Sequence, residues 1–423
     1  MKCYIILYCK IILLQFSLIK CIIKLPINIE MIDDKNYTFS TYFLNKKVTT
    51  EIKIGNPNQI IRTLLIFNES NFYILKSSFN TQKSLTYKEL SETSKKHIGE
   101  KVVLVEESFI FNNEKKEEIK INNLPFLLIK TPNKNTIENC LGLSPGRVSD
   151  IDNIFNSIKK YKVLNSTIFT IKFDKKNKNK GELIIGGYPS EYDKNYNDKY
   201  FEYSNVEITE YEQYWKLNMD KFYYGDTLFF DKYQLDVDFD IRLNGIVAIE
   251  PFFTKIDLEF FNDYVNSEIC SIYENNQYLY YICEKNIDLN KLKYIKLYSK
   301  DLNYTFELDA KNLYEEINGR YIFLIFFDKS QPYRWTLGIP FLRKYQMVFN
   351  IDKRIIGFYT QIDNLYFNIS ILLIVVIIIV LVIILFFLIF LYFKLLKYKS
   401  KRKIRSNEIN EIYDYSPNYK NLI

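Results

Sequence analysis

Residues 50–76, TEIKIGNPNQIIRTLLIFNESNFYILK, decide how the rest of the chain is read. Two strand-like runs, 51–54 and 60–67, flank Asn56-Pro57, a dipeptide that starts turns because proline restricts φ and supplies no N–H. The second run ends on a polar tip, Asn68-Glu69-Ser70-Asn71, before the aromatic run Phe72-Tyr73-Ile74 begins. This pattern predicts a β-hairpin that leads into a loop and back into a strand.

Outward from this stretch the chain keeps the same grammar of short strands and polar turns. Runs at 101–105, 126–129, 168–173, 183–185, 321–327 and 347–351 are β-branched or aromatic and bounded by turn residues, which predicts a mostly β architecture. Residues 152–160 carry Ile154, Phe155 and Ile158 at helical spacing, and residues 257–265 place Leu258, Phe261 and Tyr264 on one helical face. With 423 residues, 48% of them hydrophobic and 17% aromatic, the chain has enough apolar side chains to fill two ordinary cores. An unrelated β-rich adhesin is a further class compatible with strand content alone.

The net charge of +7 misleads about partners. The first 24 residues hold four basic side chains and the segment after Phe393 holds eight, against three acidic ones there. The middle, 25–368, is slightly acidic, with 45 basic against 47 acidic residues, so no nucleic-acid footprint is expected. Residues 1–24 read as a signal peptide, Lys2 followed by two apolar runs, with cleavage expected between Cys21 and Lys24. Residues 369–393 are free of charge and exceed the ~20 residues a helix needs to cross the hydrocarbon core. Lys394, Lys397, Lys399, Lys401, Arg402, Lys403 and Arg405 follow at once, and the positive-inside rule puts them in the cytosol. The expected product is a single-pass type I membrane protein of the secretory pathway with a lumenal or extracellular middle.

The ordered motifs along that middle resemble those of the pepsin-like aspartic proteases. Ile54-Gly55-Asn56-Pro57-Asn58-Gln59 is similar to "IGTPxQ", and Asn71-Phe72-Tyr73-Ile74 to "NLWV". Cys140-Leu141-Gly142-Leu143 resembles "GILGLG", and Gly181-Glu182-Leu183-Ile184-Ile185-Gly186-Gly187 resembles "GELxxGG". Tyr214-Trp215-Lys216-Leu217 matches "YWxI", and Trp335 to Tyr345 matches "WILGDxFLRxY". The resemblance implies a bilobal acid-protease fold with lobes at 25–190 and 191–365, a membrane helix at 369–393 and a basic tail at 394–423. It also implies that Gly338 lets a strand pass close beneath the second active-site loop. A peptide or protein ligand in the interlobe cleft and the membrane are the implied partners. The family needs no cofactor, and none is expected here.

The resemblance further implies a disulfide between Cys270 and Cys283; two unpaired buried thiols are the alternative. Cys140 reads as a small buried hydrophobe. The lone histidine, His97, with no Cys/His cluster, argues against zinc, Ser-His and Cys-His chemistry.

The family's chemistry needs two facing carboxylates that share a proton, one to activate water and one to donate to the scissile carbonyl. Aligned on the family, the first acid falls at Asn68, and the only acid near it is Glu69. Counting back from Pro251 puts the second acid at Arg242, or at Leu243 if Asn244-Gly245 stands for Thr-Gly, with Asp240 two or three residues early. The expected flap segment, 96–111, lacks the family's tyrosine. The reading is a membrane-anchored, catalytically inactive homologue acting as a binding or scaffold module. The alternative is an active endopeptidase with a remodelled dyad of Glu69 and Asp240. Sequons at Asn36, Asn68, Asn165, Asn303 and Asn368 mark it as a candidate glycoprotein. Tyr419-Lys420-Asn421-Leu422 has the form of a tyrosine-based sorting signal, beside the plainer reading of a disordered tail.

Overall fold

The computed structural model describes residues 21–31, 46–93, 101–132, 138–146, 153–205, 214–231, 235–330, 334–361 and 365–414. They fall into two units, one reaching residue 361 and one starting at 362. The first is built from sheets of thirteen, nine and four strands, so the mostly β expectation holds.

The quoted stretch folds as predicted. Lys46–Ile54 and Gln59–Ile66 pair antiparallel, with Ile54 opposite Gln59, and Gly55 takes the turn at φ 92°, where a side chain would be strained. Along Gln59–Ile66 the burial alternates, with Ile61, Thr63 and Leu65 facing the core. This is the period-two pattern of a half-buried strand.

The thirteen-stranded sheet is not confined to the first half of the chain. Val348–Asn350 pairs with Ile168–Phe173, and Ile355–Tyr359 pairs with Phe201–Asn205. The end of the chain's folded part therefore completes a sheet begun by its start. Ile23–Met31 joins this sheet against Lys180–Ile185. Ile22 and Ile23 are fully buried, so the folded unit begins before the expected boundary at Leu25.

Aromatic clusters sit beneath each half. Phe67, Phe169, Trp215 and Phe349 pack together, with ring centroids 4.9 to 6.2 Å apart, and the Trp215 indole N–H donates to the Leu143 carbonyl at 2.6 Å. Under the second half, Trp335 packs on Phe222 at 4.5 Å and on Phe252 at 4.9 Å. Burying each such ring contributes about 1.5–3 kcal/mol.

Ile154–Lys160 is a helix capped by Asn153, and its predicted apolar residues Ile154, Phe155 and Ile158 are buried. The second predicted helix needs correction. It begins earlier, at Glu250, and its middle turn, Asp257–Phe261, is a π turn. The extra residue in that turn shifts the register, so Phe261 is buried while Leu258 stays 67% exposed. Cys270 and Cys283 lie opposite each other on an antiparallel pair and are disulfide-bonded. Cys140 is fully buried, as expected.

The second unit is a single helix, Leu365–Asp414, long and apolar enough in its first part to cross a membrane. Its 50 residues extend about 75 Å at ~1.5 Å per residue, well beyond the ~30 Å of a hydrocarbon core. The basic segment is thus helical through Asp414, and the sorting-type motif at 419–422 lies outside the described residues.

Candidate functional site

Two loops in the first unit are built on one plan. In the first, Gln59–Ile66 enters, Phe72–Leu75 leaves, and Cys140–Gly142 lies between them, parallel to the entering strand and antiparallel to the leaving one. In the second, Leu235–Phe239 enters, Ile246–Ile249 leaves, and Arg334–Leu337 lies between them with the same pair of senses. Leu64 stands opposite Cys140 as Asp238 stands opposite Thr336; Phe72 stands opposite Leu141 as Ile246 stands opposite Leu337. These pairings carry one constant offset through both loops.

A glycine seals each loop from below. The Gly142 N–H donates to the Asn71 carbonyl at 3.0 Å, and the Gly338 N–H donates to the Gly245 carbonyl at 3.1 Å. A Cβ on Gly142 would lie 2.4 Å from the Glu69 carbonyl oxygen and 2.7 Å from that of Asn71. On Gly338 it would lie 2.2 Å from the Leu243 carbonyl oxygen and 2.3 Å from that of Gly245. The close approach expected of Gly338 is present, and Gly142 repeats it.

The offset revises how the loop residues correspond. Ile66 matches Asp240, Asn68 matches Arg242, Glu69 matches Leu243 and Asn71 matches Gly245. Of the two placements the sequence offers beside Asn68, the offset selects Arg242, and Leu243 falls one residue out of step. Between their paired strand ends the two loops have the same length. Asp240, which looked early, sits at the end of its strand in the place where the first loop has Ile66.

Neither candidate substitute acid is at liberty. The Glu69 carboxylate turns back on its own loop, where Oε1 accepts from the backbone N–H groups of Ser70 and Asn71 at 3.0 Å each and from Asn71 Nδ2 at 2.6 Å. Asp240 is gripped by Arg242: Nε donates to Oδ1 at 3.0 Å, Nη2 to Oδ2 at 2.8 Å, and the Arg242 backbone N–H to Oδ1 at 2.9 Å. This two-pronged geometry is the strongest form of an Arg–carboxylate pair. Burial works against the guanidinium charge, but Asp240 outweighs it and the Arg242 pKa is raised. Asn68 is exposed at the loop tip, and Leu243 is buried.

Sequence reasoning passed over Asp238. The alternation Asp236, Asp238, Asp240 puts three carboxylates on one strand face, and that period was legible in the sequence. Burial pushes the Asp238 carboxyl above the usual range, and the charge of Asp240 adds to this, while Arg334, 3.6 Å away, opposes it. Beneath the first loop, burial pushes the Cys140 thiol well up and the Glu69 charge reinforces it, which makes it unsuited to be a nucleophile. The second loop is braced by Asn244, which donates to Glu315 at 2.7 Å, and by the Lys46 backbone N–H, which donates to the Arg242 carbonyl at 3.0 Å.

The chain matches the family described as eukaryotic aspartyl protease over residues 49–361. It belongs to that family. The solved structures similar to it include basic 7S globulin from soybean, at 13% identity and a TM-score of 0.61, and conglutin gamma, a basic 7S globulin from lupine seeds, at 12% and 0.60. Each likeness covers 81% of this chain and 95% of the other, and shows the shared fold. No curated protein matches the chain in sequence.

Within this aspartyl protease homologue, the tip of the hairpin joining Lys88–Thr93 to Lys101–Asn113 lies outside the described residues, and with it His97 and Gly99. Among the described residues no cluster of three or more His, Cys, Asp or Glu side chains could hold a metal ion. A recess of about 870 Å³ is lined by Leu90, Leu104, Tyr161, Lys159, Asp352 and Arg354, among others; no residue of either loop lines it. Of the sequons, Asn68, Asn165 and Asn303 are exposed; Asn36 lies outside the described residues, as does the side chain of Asn368.

Proposed function

We propose that this aspartyl protease homologue is catalytically inactive and serves as a membrane-anchored binding or scaffold module. The observation that carries this reading is the match of Ile66 with Asp240. If these are the positions of the family's two acids, one is an alkyl side chain that neither ionises nor donates, and the shared-proton step has no second partner. The surviving carboxylate is held by Arg242 through both of its oxygens. A dyad of Glu69 and Asp240 gains no support from geometry, since Glu69 matches Leu243 and spends Oε1 on its own loop. The ligand this reading implies is a peptide or protein that is held over the two loops and not cut.

The anchor is the helix that begins at Leu365, with the first unit lumenal or extracellular and the basic segment cytosolic. Signal cleavage falls at or before Cys21, because a cut at Lys24 would remove the buried Ile22 and Ile23. Protease treatment of sealed vesicles should leave the first unit intact and clip the tail; the reverse pattern would overturn the orientation. The test of inactivity is peptide cleavage by the purified full chain from about pH 3 to 8. No pepstatin-sensitive turnover is expected. Turnover that is inhibited by pepstatin and lost in Glu69→Gln or Asp240→Asn would establish the remodelled dyad instead.

A further inference from the structure

The basic segment does more than set orientation in the helix where it stands. Residues 394–405 belong to the same unbroken helix as the apolar run, and the described cationic side chains there are exposed. Lys394, Lys397, Lys401 and Arg405 recur at intervals of three, four and four, which stacks them as one stripe along the helix. Lys399, Arg402 and Lys403 fall outside it.

The length of this stripe limits how it can meet a membrane. From Lys394 to Arg405 the helix rises about 16 Å at ~1.5 Å per residue. A surface potential fades within about 8 Å at physiological salt. An upright helix therefore leaves Lys401 and Arg405 out of reach of the leaflet, whereas a tilt toward the stripe brings all four cations to the headgroups together. Cations scattered around a helix gain less from any one tilt.

We propose that this stripe is a docking surface for anionic lipid headgroups of the leaflet it adjoins, and that clustering those lipids tilts and holds the spanning helix. The proposal rests on the membrane-spanning reading of this helix but not on its orientation, since a symmetric vesicle presents the same lipid to the stripe from either side.

The test uses the full chain reconstituted in phosphatidylcholine vesicles that carry either a fluorescent phosphatidylinositol 4,5-bisphosphate or a fluorescent phosphatidylcholine. Energy transfer from a dye attached near the stripe reads lipid proximity. Two variants of equal charge are compared, Lys397→Gln/Lys401→Gln/Arg405→Gln and Lys399→Gln/Arg402→Gln/Lys403→Gln. The wild type should enrich the anionic probe by about fivefold or more over the neutral one, the equivalent of a single cation held at the surface. The first variant should lose most of this, the second should keep most of it, and raising the salt should weaken it. Equal loss in the two variants, or equal transfer from both probes in the wild type, would overturn the proposal. Transfer to the neutral probe reports insertion: its absence would count against the spanning helix itself, and its presence without anionic enrichment against the stripe alone.

Discussion

The first loop, Ile66 to Asn71, and the second, Asp240 to Gly245, share strand senses, pairing register, length and a sealing glycine, yet they differ in what they hold. The first presents an alkyl side chain at the end of its entering strand and uses its only acid to stiffen itself. The second presents a carboxylate in the matching place and neutralises it with the guanidinium two residues on. Backbone architecture and loop chemistry are therefore separable: one scaffold carries different side chains at the matched position of its two loops.

The scaffold half of this comparison carries the largest expected effects. Gly338→Ala forces a Cβ to within 2.3 Å of two carbonyl oxygens, and Gly142→Ala does the same with slightly more room. Each should cost more than ~3 kcal/mol, because backbone and not a pliable side chain must yield. Gly338→Ala should be the worse of the two. Urea unfolding of both variants measures this, and a well-tolerated alanine at either position would break the equivalence of the loops.

The regions around the two loops also differ in covalent support. Only the second carries a disulfide among the described residues, Cys270–Cys283, closing a separation of 13 residues. Replacing both cysteines by serine should destabilise the protein by about 3 kcal/mol, through the greater freedom of the unfolded chain. Chemical denaturation in the absence of reductant reads the loss, which should vanish when wild type and variant are compared with the bridge reduced.

A smaller effect tests the loop contents. Arg242→Gln leaves Asp240 partly buried without its cation and should cost about 1–2 kcal/mol, reduced from the full buried-pair value because both side chains are partly exposed. Its counterpart, Asn68→Gln, should fall within about 0.5 kcal/mol of wild type, as expected of an exposed tip. A similar loss at both sites would mean that the second loop is not held by its ion pair.

The smallest effect is pH-dependent and lies where the sheet's late strands meet its early ones. Burial tends to raise the Asp352 carboxyl, but the Lys159 ammonium at 2.5 Å and the Thr167 hydroxyl and N–H more than offset it, so its pKa is lowered. A carboxylate depressed by folding stabilises above its unfolded pKa of about 3.9, and that stability is lost as pH falls through the lower folded value. Asp352→Asn should therefore be about 1 kcal/mol less stable than wild type at neutral pH, the two converging in strong acid. A gap that widens on acidification would reverse the sign argued here.

Much of this was legible in the sequence because hydrophobic alternation and turn chemistry are local. The hairpin read from runs 51–54 and 60–67 and the helix at 154–160 follow from short patterns, and the glycine under the second loop from the family resemblance. What escaped depends on contacts far apart in the chain. The match of Ile66 with Asp240 comes from how each entering strand registers against Cys140–Gly142 or Arg334–Leu337, which no window around either loop contains. The exposure of Leu258 depends on a π turn inside its helix, and an ideal period of 3.6 cannot foresee that. Strands 348–350 and 355–359 pair with 168–173 and 201–205, about 180 and about 155 residues earlier, so a boundary drawn along the sequence divides what the fold unites.

The central claim is that Asp240 has no carboxylate partner across the cleft. Carbon-13 NMR of the Asp and Glu side-chain carboxyls, followed through an acid titration, tests it in wild type, Glu69→Gln and Ile66→Asp. The account predicts superimposable Asp240 curves in wild type and Glu69→Gln, and a curve altered by coupling only when Ile66→Asp supplies a second acid. A two-step Asp240 curve in the wild type that becomes single in Glu69→Gln would contradict it, and would show that a working dyad survives.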